Sequence, residues 1–161
     1  MNKVAFKRKL RVVKNHKALI ETINEMKIME NNSMKDVEFL EFMKKNFSFL
    51  LNKKNNIVII QTIHDWIYNN IKYKEDAFDE TLISPRLLIY IKSGDCDDFS
   101  MLFKTMLRFF NINTKYIILA KTENDFTHIA NVYAFLKYNL YIDCTMEKSI
   151  YPKDYKFYKI V

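Results

Sequence analysis

The spacing of apolar positions makes the N-terminal half of the chain helical and the C-terminal third strand-like. Within residues 18–31, Leu19, Ile20, Ile23, Met26 and Met29 fall on one helical face. Ser33 and Asp36 form a capping-box-like start to a second helix over 34–51, with Val37, Leu40, Phe47 and Leu51 expected to face a core. Asn55 or Asn56 can cap a third helix over 57–71, which carries Ile60, Ile63, Ile67 and the lone Trp66. A polar stretch over 72–84 precedes Pro85, which suits the first turn of a short helix ending near Lys92. Residues 96–110 resume helical spacing through Phe99, Leu102, Phe103, Met106, Leu107 and Phe110, until Asn111 and Asn113 break it. Beyond them, 114–121, 127–137 and 140–145 are rich in Ile, Tyr, Val and Phe and read as strands. A loop over 122–126 and a tight turn at Tyr138-Asn139 join them into an antiparallel meander. This order is α+β: a helical N-terminal half, then one more helix packed on an antiparallel sheet.

Composition narrows the picture mainly by exclusion. At 161 residues, 49% of them apolar, the chain can bury a real core and is too apolar for global disorder. Its longest apolar runs, 87–91 and 116–120, are too short to cross a bilayer, and no membrane partner is expected. The N-terminus opens with scattered lysines and lacks the apolar stretch of a cleaved export signal. Two cysteines do not make a disulfide framework, so a reducing compartment is expected.

The net charge of +7 is concentrated in Lys3, Lys7, Arg8, Lys9, Arg11, Lys14 and Lys17, which precede the first acid, Glu21; the remaining 19 bases match the 19 acids. The chain therefore divides into a basic arm (1–17), a helical extension (18–56) and a core (57–161). An electroneutral body argues against nucleic-acid binding except through the arm. Lys outnumbers Arg 22 to 4, and Asn, Ile, Tyr and Phe are abundant, which is the residue usage of an AT-rich genome. Against an average near 7%, the chain keeps one glycine, Gly94, two residues before Cys96. Such a survivor is expected where a Cβ cannot be tolerated.

Chemistry gathers around that glycine. Cys96 opens a long apolar helix, where unpaired backbone N–H groups and the helix dipole favour a thiolate and can also receive an oxyanion. Asp95, Asp97 and Asp98 act in the other direction, since negative charge beside a thiol raises its pKa; at least one is expected to cap the helix and point away. Of the three histidines, His16 in the arm and His64 in a helix read as solvent or packing residues. His128 starts a strand after a polar loop and is the candidate base. Asp143 ends the next strand, so antiparallel pairing can return it to His128, where a carboxylate fixes the imidazole tautomer. No cluster shows metal-ligand spacing, and neither a metal nor another cofactor is expected. Cys144 reads as a packed, inert thiol.

The segment Ser93-Gly94-Asp95-Cys96-Asp97-Asp98-Phe99, followed by an apolar helix, resembles the nucleophile motif of the transglutaminase-like cysteine protease superfamily, which has a papain-like fold, and in particular its bacterial and phage branch. Ile71-Lys72-Tyr73 and Ile83-Ser84-Pro85 resemble its lead-in, and Thr127-His128-Ile129-Ala130-Asn131-Val132-Tyr133 its histidine strand. Tyr141-Ile142-Asp143-Cys144-Thr145 resembles its aspartate strand, with Cys144 where proline is usual. The resemblance covers about 57–145. It implies a Cys96-His128-Asp143 triad acting by acyl transfer on protein amide bonds: peptide or isopeptide hydrolysis, deamidation or transamidation. It also implies an oxyanion donor upstream of the cysteine, for which Gln61, Trp66 and Tyr73 are candidates. The partners expected are a protein or peptide substrate and, through the helical N-terminal part, a larger assembly such as a virion. The alternative to an enzyme is thus a phage head–tail or tail component built on this fold, and the expected location is the cytoplasm or a virion.

Overall fold

The computed structural model describes residues 7–9, 16–75, 81–123 and 126–161. Helix α1 (His16–Ser33) ends where Ser33 Oγ donates back to the Met29 carbonyl at 2.9 Å. Asp36 alone caps α2 (Val37–Phe47), accepting from the amides of Glu38 and Phe39. The second helix therefore starts later than the sequence pattern implied, and it gives way to a 3-10 turn (Ser48–Leu50). Its buried stripe is Phe39, Met43 and Phe47, while Val37 and Leu51, expected in the core, are 66% and 56% exposed. Two apolar stripes competed, and the i, i+4, i+8 row carrying two phenylalanines buries more area.

Asn55 caps α3 (Asn56–Asn70) through the Ile57 amide. Trp66 packs edge-on against Phe42 and Phe47, which ties α3 to α2. The short α4 (Pro85–Ile91) starts on its proline and ends at Lys92, a left-handed residue with φ 55°. The last helix, α5 (Cys96–Arg108), is buried along most of its length.

The stretch expected to be a polar connection supplies strands. Lys7–Lys9 (β1) pairs antiparallel with Thr81–Ile83 (β3), and Lys72–Tyr73 (β2) pairs in parallel with Ser93–Gly94 (β4). The main sheet comprises β5 (Lys115–Ala120), β6 (Phe126–Phe135), β7 (Tyr138–Ile142) and β8 (Phe157–Ile160), in the order β7-β6-β5-β8 with every pair antiparallel. The meander is thus as expected, but its tight turn lies at Leu136-Lys137, because Phe135 pairs with Tyr138. The terminal strand β8 adds to the far edge of β5.

Apolar side chains from α2, α3, α4 and α5 form one buried cluster that reaches Ile142 and Cys144. A second joins Ile23, Met26 and Met29 of α1 to Met101, Tyr116, Ile118 and Ile129. The helical extension thereby shares its core with the rest of the chain. Within that seam Glu30, 1% exposed, accepts from Lys104 Nζ at 3.0 Å, from Arg108 and from the Tyr116 hydroxyl. A buried charge needs such partners, and here they pin α1 to α5 and β5. Most of the basic arm lies outside the described residues. No helix among the described residues is long and apolar enough to cross a membrane.

Candidate active site

Strand β4 delivers the chain directly into α5, and Gly94 makes the close approach possible. A Cβ there would lie 2.6 Å from Asp98 Oδ2 and 2.8 Å from Leu88 Cδ1. The Asp98 carboxylate cannot easily yield, since it accepts from the Ile83 amide at 2.7 Å and forms a reciprocal capping box with Asp95. The glycine is therefore required by space, as its isolation in the sequence implied.

The acids around Cys96 divide their work. Asp95 and Asp98 start the helix. Asp97 is 3% exposed, and its carboxyl is held well above the usual range by burial first, then by a hydrogen bond to Asp95 and the negative charges of Asp95, Asp98 and Cys96. A retained proton there leaves less negative charge beside the thiol than the bare sequence suggests. One oxygen each of Asp95 and Asp97 is buried with no hydrogen-bond partner. Ligand atoms of all three acids lie within 4.8 Å of one another, a carboxylate cluster that linear spacing did not reveal. Cys96 itself is half-buried and forms no disulfide.

His128 and Asp143 meet as the pairing required. His128 Nε2 lies 2.7 Å from Asp143 Oδ2, with Asp143 just past the end of β7. Ser100, one turn after Cys96, donates to the carbonyl of Ile129 at 3.0 Å, tying α5 to β6 one residue after His128. Asp143 is fully engaged: Tyr141 Oη donates to Oδ2 at 2.8 Å, and the Thr145 amide and hydroxyl donate to Oδ1. Burial alone would raise this carboxyl, but the hydrogen bond and charge of His128, with Thr145, outweigh it and hold it below its usual value. The ring of Tyr155 stacks on His128 with centroids 6.0 Å apart.

The sequence reading missed much of this support. His64, read as a solvent or packing residue, is buried with both ring nitrogens bonded, one of them to the Asp143 carbonyl. Tyr141 could have been found from period-2 alternation, which puts residues 141 and 143 on one side of the chain. Among the oxyanion candidates, Gln61 is exposed and bonded to Asp65, and Trp66 is locked among phenylalanines. Tyr73 lies opposite Gly94 in the β2–β4 pair, edge-on to Phe99 of α5. Burial, then the charges of Cys96, Asp95, Glu75 and Asp143, push its hydroxyl up, so it keeps a proton to donate. Burial and the charges of Asp143 and Asp65 push the Cys144 thiol up, which fits an inert residue. His16 heads α1, and its side chain lies outside those described.

Several solved structures resemble the chain. A candidate cysteine protease from Cytophaga hutchinsonii superposes with a TM-score of 0.53 at 23% identity, over 67% of this chain and 37% of that one. LapG from Legionella pneumophila, in its EGTA-treated form, gives 0.57 at 17% identity, covering 84% of this chain and 79% of that one. Its calcium-bound form gives 0.55 at 19%, over 81% and 80%. At these identities the likeness is one of fold, and the chain spans well under half of the Cytophaga protein. Comparison with curated proteins gives no match. The profile of the transglutaminase-like superfamily matches residues 45–156, well over half of the sequence, including the Cys96 helix, the His128 strand and Asp143. The chain belongs to the transglutaminase-like superfamily.

Proposed function

We propose that this protein is a thiol enzyme that transfers acyl groups from protein amide bonds, with Cys96 as nucleophile, His128 as base and Asp143 orienting the base. The observation that carries the reading is the 2.7 Å contact between His128 Nε2 and Asp143 Oδ2, on a strand bonded to the Cys96 helix. An ionised carboxylate only accepts, so Nε2 carries the proton and Nδ1 is left with the lone pair. Nδ1 takes the proton of the Cys96 thiol, and the thiolate attacks the carbonyl carbon of a protein or peptide substrate. Backbone N–H groups at the start of α5 receive the developing oxyanion. The imidazolium returns its proton to the leaving amine, and water then releases the acyl group, which makes the net reaction peptide or isopeptide hydrolysis. Deamidation and transamidation would use the same acyl-enzyme. The resemblance of the Cytophaga structure to this chain supports a protease-like chemistry, and the place of action is the cytoplasm or a virion of the phage-related branch.

One Legionella structure is of a calcium-bound protein. The three acids around Cys96 fit such a hard cation, since their donors are all oxygen and two buried oxygens lack partners. Asp95, Asp97 and Asp98 would hold it. A bound cation would supply positive charge that offsets the acids beside the thiol.

The test is alkylation of Cys96 by iodoacetamide across pH, in wild type and in His128→Ala. An activated thiol reacts well below the pH of about 8.5 that governs an ordinary cysteine, and loses that advantage in the variant. Cys96 reacting as an ordinary thiol in both proteins would remove the enzyme reading. A virion component would instead combine ordinary thiol reactivity with co-assembly into a large complex.

A further inference from the structure

We propose that His64, on α3, is a positioning residue that holds Asp143 from behind, and so sets where His128 stands. The inference rests on the catalytic roles proposed above for His128 and Asp143.

The ring of His64 is 3% exposed and bridges two elements. Its Nε2 lies 3.1 Å from the Asp143 carbonyl oxygen, and its Nδ1 lies 3.0 Å from Asp65 Oδ1. A carbonyl oxygen only accepts, so Nε2 carries the proton that joins the ring to Asp143. The ring thereby clamps the helix to the turn after β7. Gln61 Nε2 donates to the same Asp65 oxygen at 2.7 Å, which steadies the far end of the clamp. The titratable groups beside the ring are Asp65 on its own helix, and Asp143 and Cys144 on the turn.

The position of that carbonyl matters because the Asp143 side chain is already saturated. Its two oxygens accept from His128, Tyr141 and Thr145, so any shift of its backbone is passed directly to the imidazole. From the other side, the Asp143 amide donates to Ser149 Oγ at 2.9 Å within the same turn. Only His64 links this residue to the rigid helical layer among the bonds described. A displacement of about 1 Å in a catalytic group costs up to a hundredfold in rate, which sets the scale of the effect.

The experiment reads iodoacetamide alkylation of Cys96 at a fixed pH of about 6.5, well below an ordinary thiol pKa, in wild type, His128→Ala, His64→Leu and His64→Gln. Thermal unfolding of each protein confirms that it is folded. His64→Leu should lower the rate roughly ten- to a hundredfold. His64→Gln keeps an amide N–H that can reach the Asp143 carbonyl and should recover most of the loss. Long-range proton–nitrogen spectra of the wild type at the same pH should show a proton on His64 Nε2. The inference is overturned if folded His64→Leu reacts at the wild-type rate while His128→Ala is slow, or if His64 Nε2 is bare. If His128→Ala itself matches wild type, the thiol–imidazole reading has failed, and the His64 inference falls with it for that separate reason.

Discussion

At the scale of single residues, Tyr73 is the side chain whose role can be separated most cleanly. Its phenol keeps a proton and stands beside the first turn of α5, where a carbonyl oxygen would become negative during acylation. Alkylation by iodoacetamide develops no oxyanion, whereas acylation by p-nitrophenyl acetate does. Tyr73→Phe should therefore leave the first rate unchanged and slow the nitrophenolate burst on the order of tenfold. That is less than the hundred- to thousandfold of a sequestered oxyanion donor, because Tyr73 is 41% exposed and water can replace it in part. Equal burst rates in the two proteins would leave the backbone N–H groups as the only oxyanion donors. The place of Cys96 at a helix start and the meeting of His128 with Asp143 were legible in the sequence, because a helix start and two paired strand ends follow local rules. His64 was not, because a mid-helix histidine has no local signature, and its partner is a backbone carbonyl 79 positions away.

Element boundaries show what scarce glycine costs. Lys92, Asn111 and Leu136 all take the left-handed conformation, at φ 55°, 57° and 55°, in places where glycine is the usual choice. The shift of the hairpin turn from Tyr138-Asn139 to Leu136-Lys137 follows from this. Asparagine tolerates positive φ and drew the turn towards itself in a reading by residue type, whereas strand pairing fixed the register and put a leucine there. Leu136 is 87% exposed, so its replacement loses almost no buried area. Leu136→Gly should relieve about 1–2 kcal/mol of left-handed strain against about 0.5–1 kcal/mol of extra backbone entropy in the unfolded chain. The net gain of roughly 0.5–1 kcal/mol should appear by calorimetry as a rise in Tm of about 2–3 °C. A fall in Tm would mean that the turn is held by contacts of the leucine itself. The short strands β2, β3 and β4 escaped the sequence reading for a related reason: two- and three-residue strands carry too little alternation to register.

Across the whole molecule, stability and chemistry converge on the acids at the start of α5. Tertiary folding, through β3, β4 and the Glu30-anchored seam, buries Asp97 among carboxyls that are merely adjacent in sequence. A carboxyl whose folded pKa is raised binds its proton more tightly in the native state. Stability is then lost as pH climbs from the unfolded value of about 3.9 towards the raised one. Asp97→Asn removes that titration, so in EGTA the variant should unfold at or above the wild-type Tm, with its advantage growing as pH rises above about 4. The proposed calcium site should reverse the order. For the wild type, calcium at a hundredfold excess over its dissociation constant should add about 2.7 kcal/mol, a rise of roughly 5–10 °C, and EGTA should reverse it. The amide that replaces the carboxylate in the variant carries no charge for the cation, and the variant's Tm should stay where it was. Thermal scans of both proteins with calcium and with EGTA decide between a cation and a shared proton as the partner of these acids. A wild-type Tm indifferent to calcium assigns them the proton alone.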